Sequence, residues 1–454
     1  MSPGVSIPLC CPILTLIVLL ASRPRSSTKG PLDQPDDPLN IESLSKISTP
    51  LISNPVDYGM NTGASFSTLD PLAPEELSMN LEKDLSFLLR YDNYHSLSQV
   101  DIPHALRSEF ISLKPDESLI SSLGTLETLL VEGHFLLAAY LCGTILTSSL
   151  ISPTDVKHVF ALFYTRLACL ELSGNTVIAA QESKALEDLS STFYYVDPPT
   201  MAADGHHDHS NYPRHIAPWP LRILAIRLQS IGFGDSRRGI GGLYELGLEA
   251  RRAIVRPDLG PTEREIWKSR LSDLGIRTVN ALIEMGDLSA AKRSLGSLRK
   301  WKPDHIITDV RTVLLLLSIG DVDAARQLCF EIGDPRGAIL KPLLCMAEGR
   351  YDDAVLEWRS LLGSNDRAMD DAAISQNLAV CLLYTGHLSE ARNVLESLIQ
   401  KQRSFSSLVF NLATVYELCS DKSAQLKTGL VGAIAEQPIT GDINLDRLNA
   451  DFKL

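Results

Sequence analysis

The sequence predicts an all-α fold made of repeated helical hairpins, and three observations carry that reading. Aromatic residues make up only 6% of the 454, and Val and Ile never gather into the alternating runs a strand needs. Helical patterning runs from about 117 to 435, broken mainly near 194–219, 255–262 and 363–369. Within it one motif recurs: a glycine, often a polar residue, then an apolar or aromatic residue, and a small residue five positions after the glycine. Gly286/Ala291, Gly320/Ala325, Gly349/Ala354 and Gly386/Ala391 carry it most clearly, in EMGDLSAAKRSL, SIGDVDAARQL, AEGRYDDAVLEW and YTGHLSEARNVL. Gly133/Ala138, Gly174/Ala179 and Gly234/Gly239 keep the same offset with degenerate flanks.

The last four glycines are 34, 29 and 37 residues apart. Thirty-four is the tetratricopeptide period, and the deviations are loop-sized. The physics fits the pattern. Glycine takes the left-handed conformation that closes the first helix. Asp287 and Asp321 then cap the second helix by accepting its free amide hydrogens. The small residue lets the two helices cross closely, where a larger side chain clashes. Apolar residues such as Leu295, Leu298, Leu395 and Leu398 continue the inner stripe, and Trp301 and Pro303 close the repeat that starts at 286. One hairpin cannot bury both faces, so neighbours must stack into a superhelical solenoid.

Around this array the chain divides further. Residues 1–25 form an apolar N-terminal segment, and 26–80, rich in Pro, Ser, Asp and Asn without any period, read as a disordered arm. Ala73, Pro74, Glu75 and Glu76 suit a helix start, so 81–116 is expected as a helical lead-in. The solenoid spans 117–435 with a loop insert at 194–219, and 436–454 form a tail.

The apolar run at 7–21 has three readings. It has signal-peptide length but lacks a basic leading region, and Pro12 interrupts it. It is short for a spanning helix, and as an anchor its following Arg23, Arg25 and Lys29 would leave the rest in the cytosol. The favoured reading is a disordered extra or a gene-model artefact, because nothing downstream needs it.

A net charge of −13 argues against a nucleic-acid-binding surface, which needs a basic face. Eight cysteines lie without any C-x-x-C pair. Cys142, Cys169, Cys329, Cys345, Cys381 and Cys419 sit singly in apolar helical segments and read as free core thiols of a reducing compartment.

Candidate chemistry is sparse. The stretch GHHDHSNYPRH at 205–215 brings His206, His207, Asp208, His209 and His215 together, and His206, His207 and His209 are its weak metal candidates. Neighbours in one loop rarely converge on a tetrahedron, so an exposed loop without metal is the reading adopted. GFGDSRRGIGG at 232–242 fits G-x-x-x-x-G, but Ile240 and Gly241 stand where a phosphate loop needs Lys and Ser or Thr. Asp352, Asp353, Asp370 and Asp371 oppose the positive ends of helices. Arg251, Arg252, Arg256, Arg264, Lys268, Arg270 and Arg277 form a basic stretch interleaved with Glu263 and Glu265, read as a solvated face. No catalytic or cofactor-binding motif appears, so the chain is expected to be noncatalytic and to use no cofactor.

Several longer stretches carry a resemblance. SQNLAVCLLYTGHLSEARNVLESLIQ, then SSLVFNLATVYELCSDKSAQLK and the final DFKL, resemble the family of subunit 12 of the transport protein particle (TRAPP) vesicle-tethering complex. LFYTRLACLELSGN with FYYV, and PWPLRILAIRLQ, are similar to the segments flanking that family's mid-chain loop. The likeness covers roughly 84–454 and departs at the apolar run and the His-rich insert. It implies a tetratricopeptide scaffold subunit that binds other TRAPP subunits and acts indirectly on a Rab-type GTPase. The implied work is ER-to-Golgi transport and autophagy, in the cytoplasm and peripheral to early Golgi membranes. The alternative is an independent tetratricopeptide adaptor or co-chaperone, which would line its face with a Lys, Arg and Asn clamp for acidic peptides. Ile283, Leu317, Met346 and Leu383, three before each strong glycine, are not clamp residues.

Overall fold

A computed structural model of the chain describes residues 69–72, 83–97, 118–196, 213–257, 259–299, 306–331, 338–363 and 371–437. The apolar run, most of the arm, Trp301, Pro303, Asp370, the stretch with His206, His207 and His209, and the tail beyond 437 lie outside the described residues. Two compact units are present, Pro55–Met285 and Gly286–Pro438.

In the first unit the helices are α1 (Leu119–Val131), α2 (Phe135–Thr147), α3 (Val156–Leu172), α4 (Thr176–Glu182), α5 (Trp219–Phe233), α6 (Ser236–Val255) and α7 (Pro261–Glu284). Each packs against the next, and α3 also touches α5. Between α4 and α5 two short strands, β1 (Tyr195–Val196) and β2 (Arg214–His215), pair antiparallel with Tyr195 opposite His215. Phe160 and Phe163 of α3 are fully buried within a core shared by α1 to α5.

The second unit holds α8 (Leu288–Arg299), α9 (Ile306–Ile319), α10 (Val322–Glu331), α11 (Leu340–Ala347), α12 (Tyr351–Gly363), α13 (Asp371–Tyr384), α14 (Leu388–Gln400), α15 (Ser406–Cys419) and α16 (Ser423–Ala435). Again each helix packs on its successor. The central α13 is buried on nearly every side, from Ala372 to Leu382. It has no solvated polar stripe: Ser375, Gln376 and Asn377 are buried along with its apolar residues, as in a helix flanked on both sides.

The hairpin turns follow the recurring motif. Gly133, Gly174, Gly234, Gly286, Gly320, Gly349 and Gly386 all have φ between +64° and +88°. The next residue's N–H reaches back five positions, as in Asp321 to Leu316 (2.9 Å), Arg350 to Cys345 (2.9 Å) and His387 to Leu382 (2.8 Å). That is the Schellman closure, which satisfies carbonyls the ending helix leaves open. The following helix is then capped: Asp287 accepts from the Ala290 N–H at 2.9 Å and Asp235 from the Arg237 N–H at 3.0 Å. Ala138, Ala179, Ala291, Ala325, Ala354 and Ala391 each have no exposed surface. At Gly239 a Cβ would lie 2.7 Å from Ser230, so α6 approaches α5 too closely for a side chain. The chain is therefore an all-α protein of tetratricopeptide-type hairpins.

Crowding at these crossings sets an expected result. Ala391→Leu should lose about 1–3 kcal/mol by overpacking, whereas Ala391→Gly should lose about 1 kcal/mol through helix propensity. Thermal melts of both variants check this, and an unchanged melting temperature for the Leu variant contradicts the register.

Two features differ from the sequence expectation. The described part of the lead-in forms two 3₁₀ turns, Ser86–Leu89 and Tyr91–Asn93, not an α-helix. Leu85 and Leu88, three apart, are both fully buried, which suits three residues per turn, and Arg90 is extended between the turns. Cys419 is exposed while Cys142, Cys169, Cys345 and Cys381 are buried and Cys329 half-buried. The stripe Leu412, Val415, Tyr416 runs off the end of α15 at Cys419, leaving it uncovered.

Candidate functional site

The metal candidates His206, His207 and His209 lie outside the described residues. Among the described residues no three His, Cys, Asp or Glu side chains gather as a metal-binding set. His215, the last histidine of the rich stretch, has both ring nitrogens engaged. Its Nε2–H donates to the Leu189 carbonyl (2.9 Å), so Nδ1 carries the lone pair and accepts the Ala217 N–H (3.0 Å). Tyr194 stacks on the ring and Tyr195 meets it edge-on. The imidazole thus pins the strand pair to the loop after α4. In the glycine-rich stretch, Gly234 closes α5, while a Cβ at Gly242 would lie 3.0 Å from Ile226. These glycines serve helix packing.

Burial pushes the His215 imidazole down to about 4, with the Arg222 charge adding to the effect. The folded state therefore resists a proton that the unfolded chain takes near pH 6.5. Stability from this group is complete above pH 6.5 and falls as the pH drops towards 4, by about 3 kcal/mol in all. Denaturant titrations should show His215→Gln less stable than wild type at pH 7, with the gap narrowing by pH 4.5. A constant gap would contradict the assignment.

Three buried arginines, at two sites, dominate the polar interior of the first unit. In α3, Arg166 donates through Nε and Nη2 to both oxygens of Glu182 at the end of α4, each at 2.6 Å. Its Nη1 donates to the Ala139 carbonyl of α2 at 2.8 Å and Nη2 also to the His95 carbonyl at 3.1 Å. The guanidinium lies over the Tyr94 ring, and the His95 N–H donates to Glu182 at 2.8 Å. Four of the five donors of Arg166 are satisfied, and a residue ahead of the repeats is tied to three helices.

The second arginine site lies on α5 and α7. Trp219 and Trp267 meet edge-on with ring centroids 5.5 Å apart. Arg270 lies over both, 4.8 and 4.7 Å from their centroids, and Arg222 over Trp219 at 5.3 Å. Arg222 pairs with Glu249 of α6 at 2.9 Å. Arg270 pairs with Asp70, a residue of the arm, whose other oxygen accepts the Trp219 N–H at the start of α5 (3.0 Å). Both side chains are buried, Asp70 9% and Arg270 7% exposed. The sequence reading missed this site. Its signal is a repeated W-x-x-R, Trp219/Arg222 and Trp267/Arg270, which puts an indole and a guanidinium on one helix face.

The rest of the basic stretch is largely engaged internally. Arg264 donates to the Arg256 and Leu259 carbonyls, Lys268 pairs with Glu265 at 2.7 Å, and Arg277 with Asp273 at 2.6 Å. Arg251 and Arg252 are exposed. In the second unit a shallow groove of about 250 Å³ is lined by Val355, Leu356 and Leu382, with the paired Arg359 and Glu390 also in its lining. Beside it Tyr351 and Tyr384 stack at 4.5 Å. Leu317 and Met346 are core residues, so the missing clamp at those positions reports on packing and does not count against an adaptor.

No family model matches the chain. Trafficking protein particle complex subunit 12 of Homo sapiens is 24% identical over 389 residues, covering 76% of this chain and 51% of that protein. The Mus musculus protein of the same description is 23% identical over 338 residues, covering 66% of this chain and 41% of its own. The chain thus spans about half the length of the curated relatives it matches. Among solved structures, the P58(IPK) TPR domain matches at 13% identity over 70% of this chain and 92% of that one, with a TM-score of 0.20, and adds nothing to the fold read above. The resemblance first carried by a few stretches extends over two thirds to three quarters of the chain, which is similar to trafficking protein particle complex subunit 12 of two mammals.

Proposed function

We propose that the chain is a noncatalytic tetratricopeptide scaffold subunit of the TRAPP vesicle-tethering complex, working in ER-to-Golgi transport and in autophagy as part of a TRAPPIII-like assembly. Its partners on this reading are other TRAPP subunits, and a Rab-type GTPase only through them. It sits in the cytoplasm, peripheral to early Golgi membranes. The observation that carries the reading is the likeness to two mammalian subunit 12 proteins across the repeats. The architecture supports it, since stacked hairpins present long surfaces for other proteins. No helix among the described residues is long and apolar enough to cross a membrane.

The C-terminal hairpin is the proposed docking element. It includes SSLVFNLATVYELCSDKSAQLK, one of the stretches that resemble the family, and it leaves Phe410 and Leu418 of α15 exposed. Removal of 405–454 should release the tagged chain from TRAPP subunits in affinity purification, while circular dichroism shows the remaining helices retained. Continued co-purification of the truncated chain would contradict docking there. The full chain purified alone should not speed nucleotide exchange on a Rab-type GTPase.

The independent adaptor is the second reading. It retains support from the buried positions at Leu317 and Met346, which remove the clamp argument against it.

A further inference from the structure

The arm contributes one short described segment, 69–72, and it ends in a built site. The Asp70 carboxylate meets the Arg270 guanidinium and the free Trp219 N–H at the start of α5. One oxygen also accepts the Leu72 N–H at 2.9 Å. Pro71 and Leu72 form a turn, and the Asp70 side chain closes it by accepting the Leu72 N–H, so the carboxylate is presented at an Asp-Pro turn. The walls belong to α5 and α7 and hold each other in place through the two indoles.

The two W-x-x-R pairs differ in a telling way. Arg222 draws its carboxylate, Glu249, from the neighbouring helix, 27 residues away. Arg270 draws Asp70 from the arm, 200 residues away in sequence. A guanidinium between two indole faces is desolvated, and without an anion its burial is costly. The notch therefore draws its carboxylate from a turn that lies ahead of the helical array.

We propose that the notch formed by Trp219, Trp267 and Arg270 is a binding site for a peptide that presents an aspartate at an Asp-Pro turn. Residues 69–72 are its resident occupant, and a partner segment presenting a carboxylate in the same way displaces them. The arm is then a tethered competitor, with an effective concentration set by the chain that links it. Arg270 and the helix N-terminus read the carboxylate, and the indoles exclude water around it.

The test uses the full chain and a synthetic peptide of residues 64–76, ASFSTLDPLAPEE, which contains no tryptophan. Indole fluorescence then reports on the protein, where two of the four tryptophans line the notch. Full-length Asp70→Asn should bind the peptide saturably. Wild type should need at least about tenfold more, because its notch is filled from within. The same peptide with Asp70→Asn should bind the variant at least about tenfold more weakly. Absence of saturable binding to a folded variant, or equal binding of the two peptides, overturns the proposal. Should the variant fail to fold, a protease site inserted between 76 and 82 allows the arm to be cut after wild type has folded. The arm fragment should then stay bound on size exclusion and leave when excess peptide is added. A fragment that leaves without peptide, or that peptide cannot displace, overturns the proposal equally.

Discussion

Glu182→Gln should destabilise the chain by about 3–5 kcal/mol, because it leaves Arg166 charged in a site 3% exposed with only neutral acceptors. The carboxylate side chain has no exposed surface and accepts two hydrogen bonds from Arg166 and one from the His95 N–H. A neutral amide supplies one acceptor oxygen and turns an NH₂ donor towards a guanidinium. Replacing both partners, as Arg166→Met with Glu182→Leu, should cost less than the single change, since no charge then remains buried. Urea titrations of the two variants measure the difference. A double variant weaker than Glu182→Gln would show that the network's hydrogen bonds, not the stranded charge, set the cost.

Trp358→Ala should cost about 3–5 kcal/mol in the second unit. Trp358 is 1% exposed and lies one turn beyond Ala354 on the inner face of α12. Its buried indole N–H makes no hydrogen bond, and the neighbouring Cys381 thiol of α13 is pushed up to about 12 by burial. Truncation empties the seam between α12 and α13 while leaving the glycine turn at 349 intact. The melting temperature should fall markedly for Ala and much less for Phe, which refills most of the space. Equal melting temperatures for the Ala variant and wild type would show that the seam closes without the indole.

What was legible in the sequence was local. A left-handed glycine and a close-crossing alanine lie five residues apart, and both act within one turn and one helix start. Their spacing therefore survives as a readable pattern even where flanks degenerate, as at Gly234 and Gly239. The Asp287 cap was legible for the same reason. The arginine sites were not, because their partners come from other elements: Arg166 from the end of the next helix and a residue before the repeats, Arg270 from the arm. Nothing in the spacing of Asp70 and Arg270 marks a contact across 200 residues. Only the doubled W-x-x-R hints at it, and a tryptophan near an arginine is common enough to pass unnoticed. The described part of the lead-in, 83–97, takes 3₁₀ turns where a helix is expected, because two leucines three apart serve a 3₁₀ turn as readily as a helix. Cys419 was misplaced because an apolar stripe does not announce where the covering neighbour ends.

The central claim, that this chain works by binding within a tethering complex, is tested most directly by size exclusion of cell extract containing the tagged full chain. The account predicts that the 49.8 kDa chain elutes far above its own mass, in the same fractions as other TRAPP subunits. Elution as a free monomer, with TRAPP subunits unshifted when the chain is depleted, would contradict it.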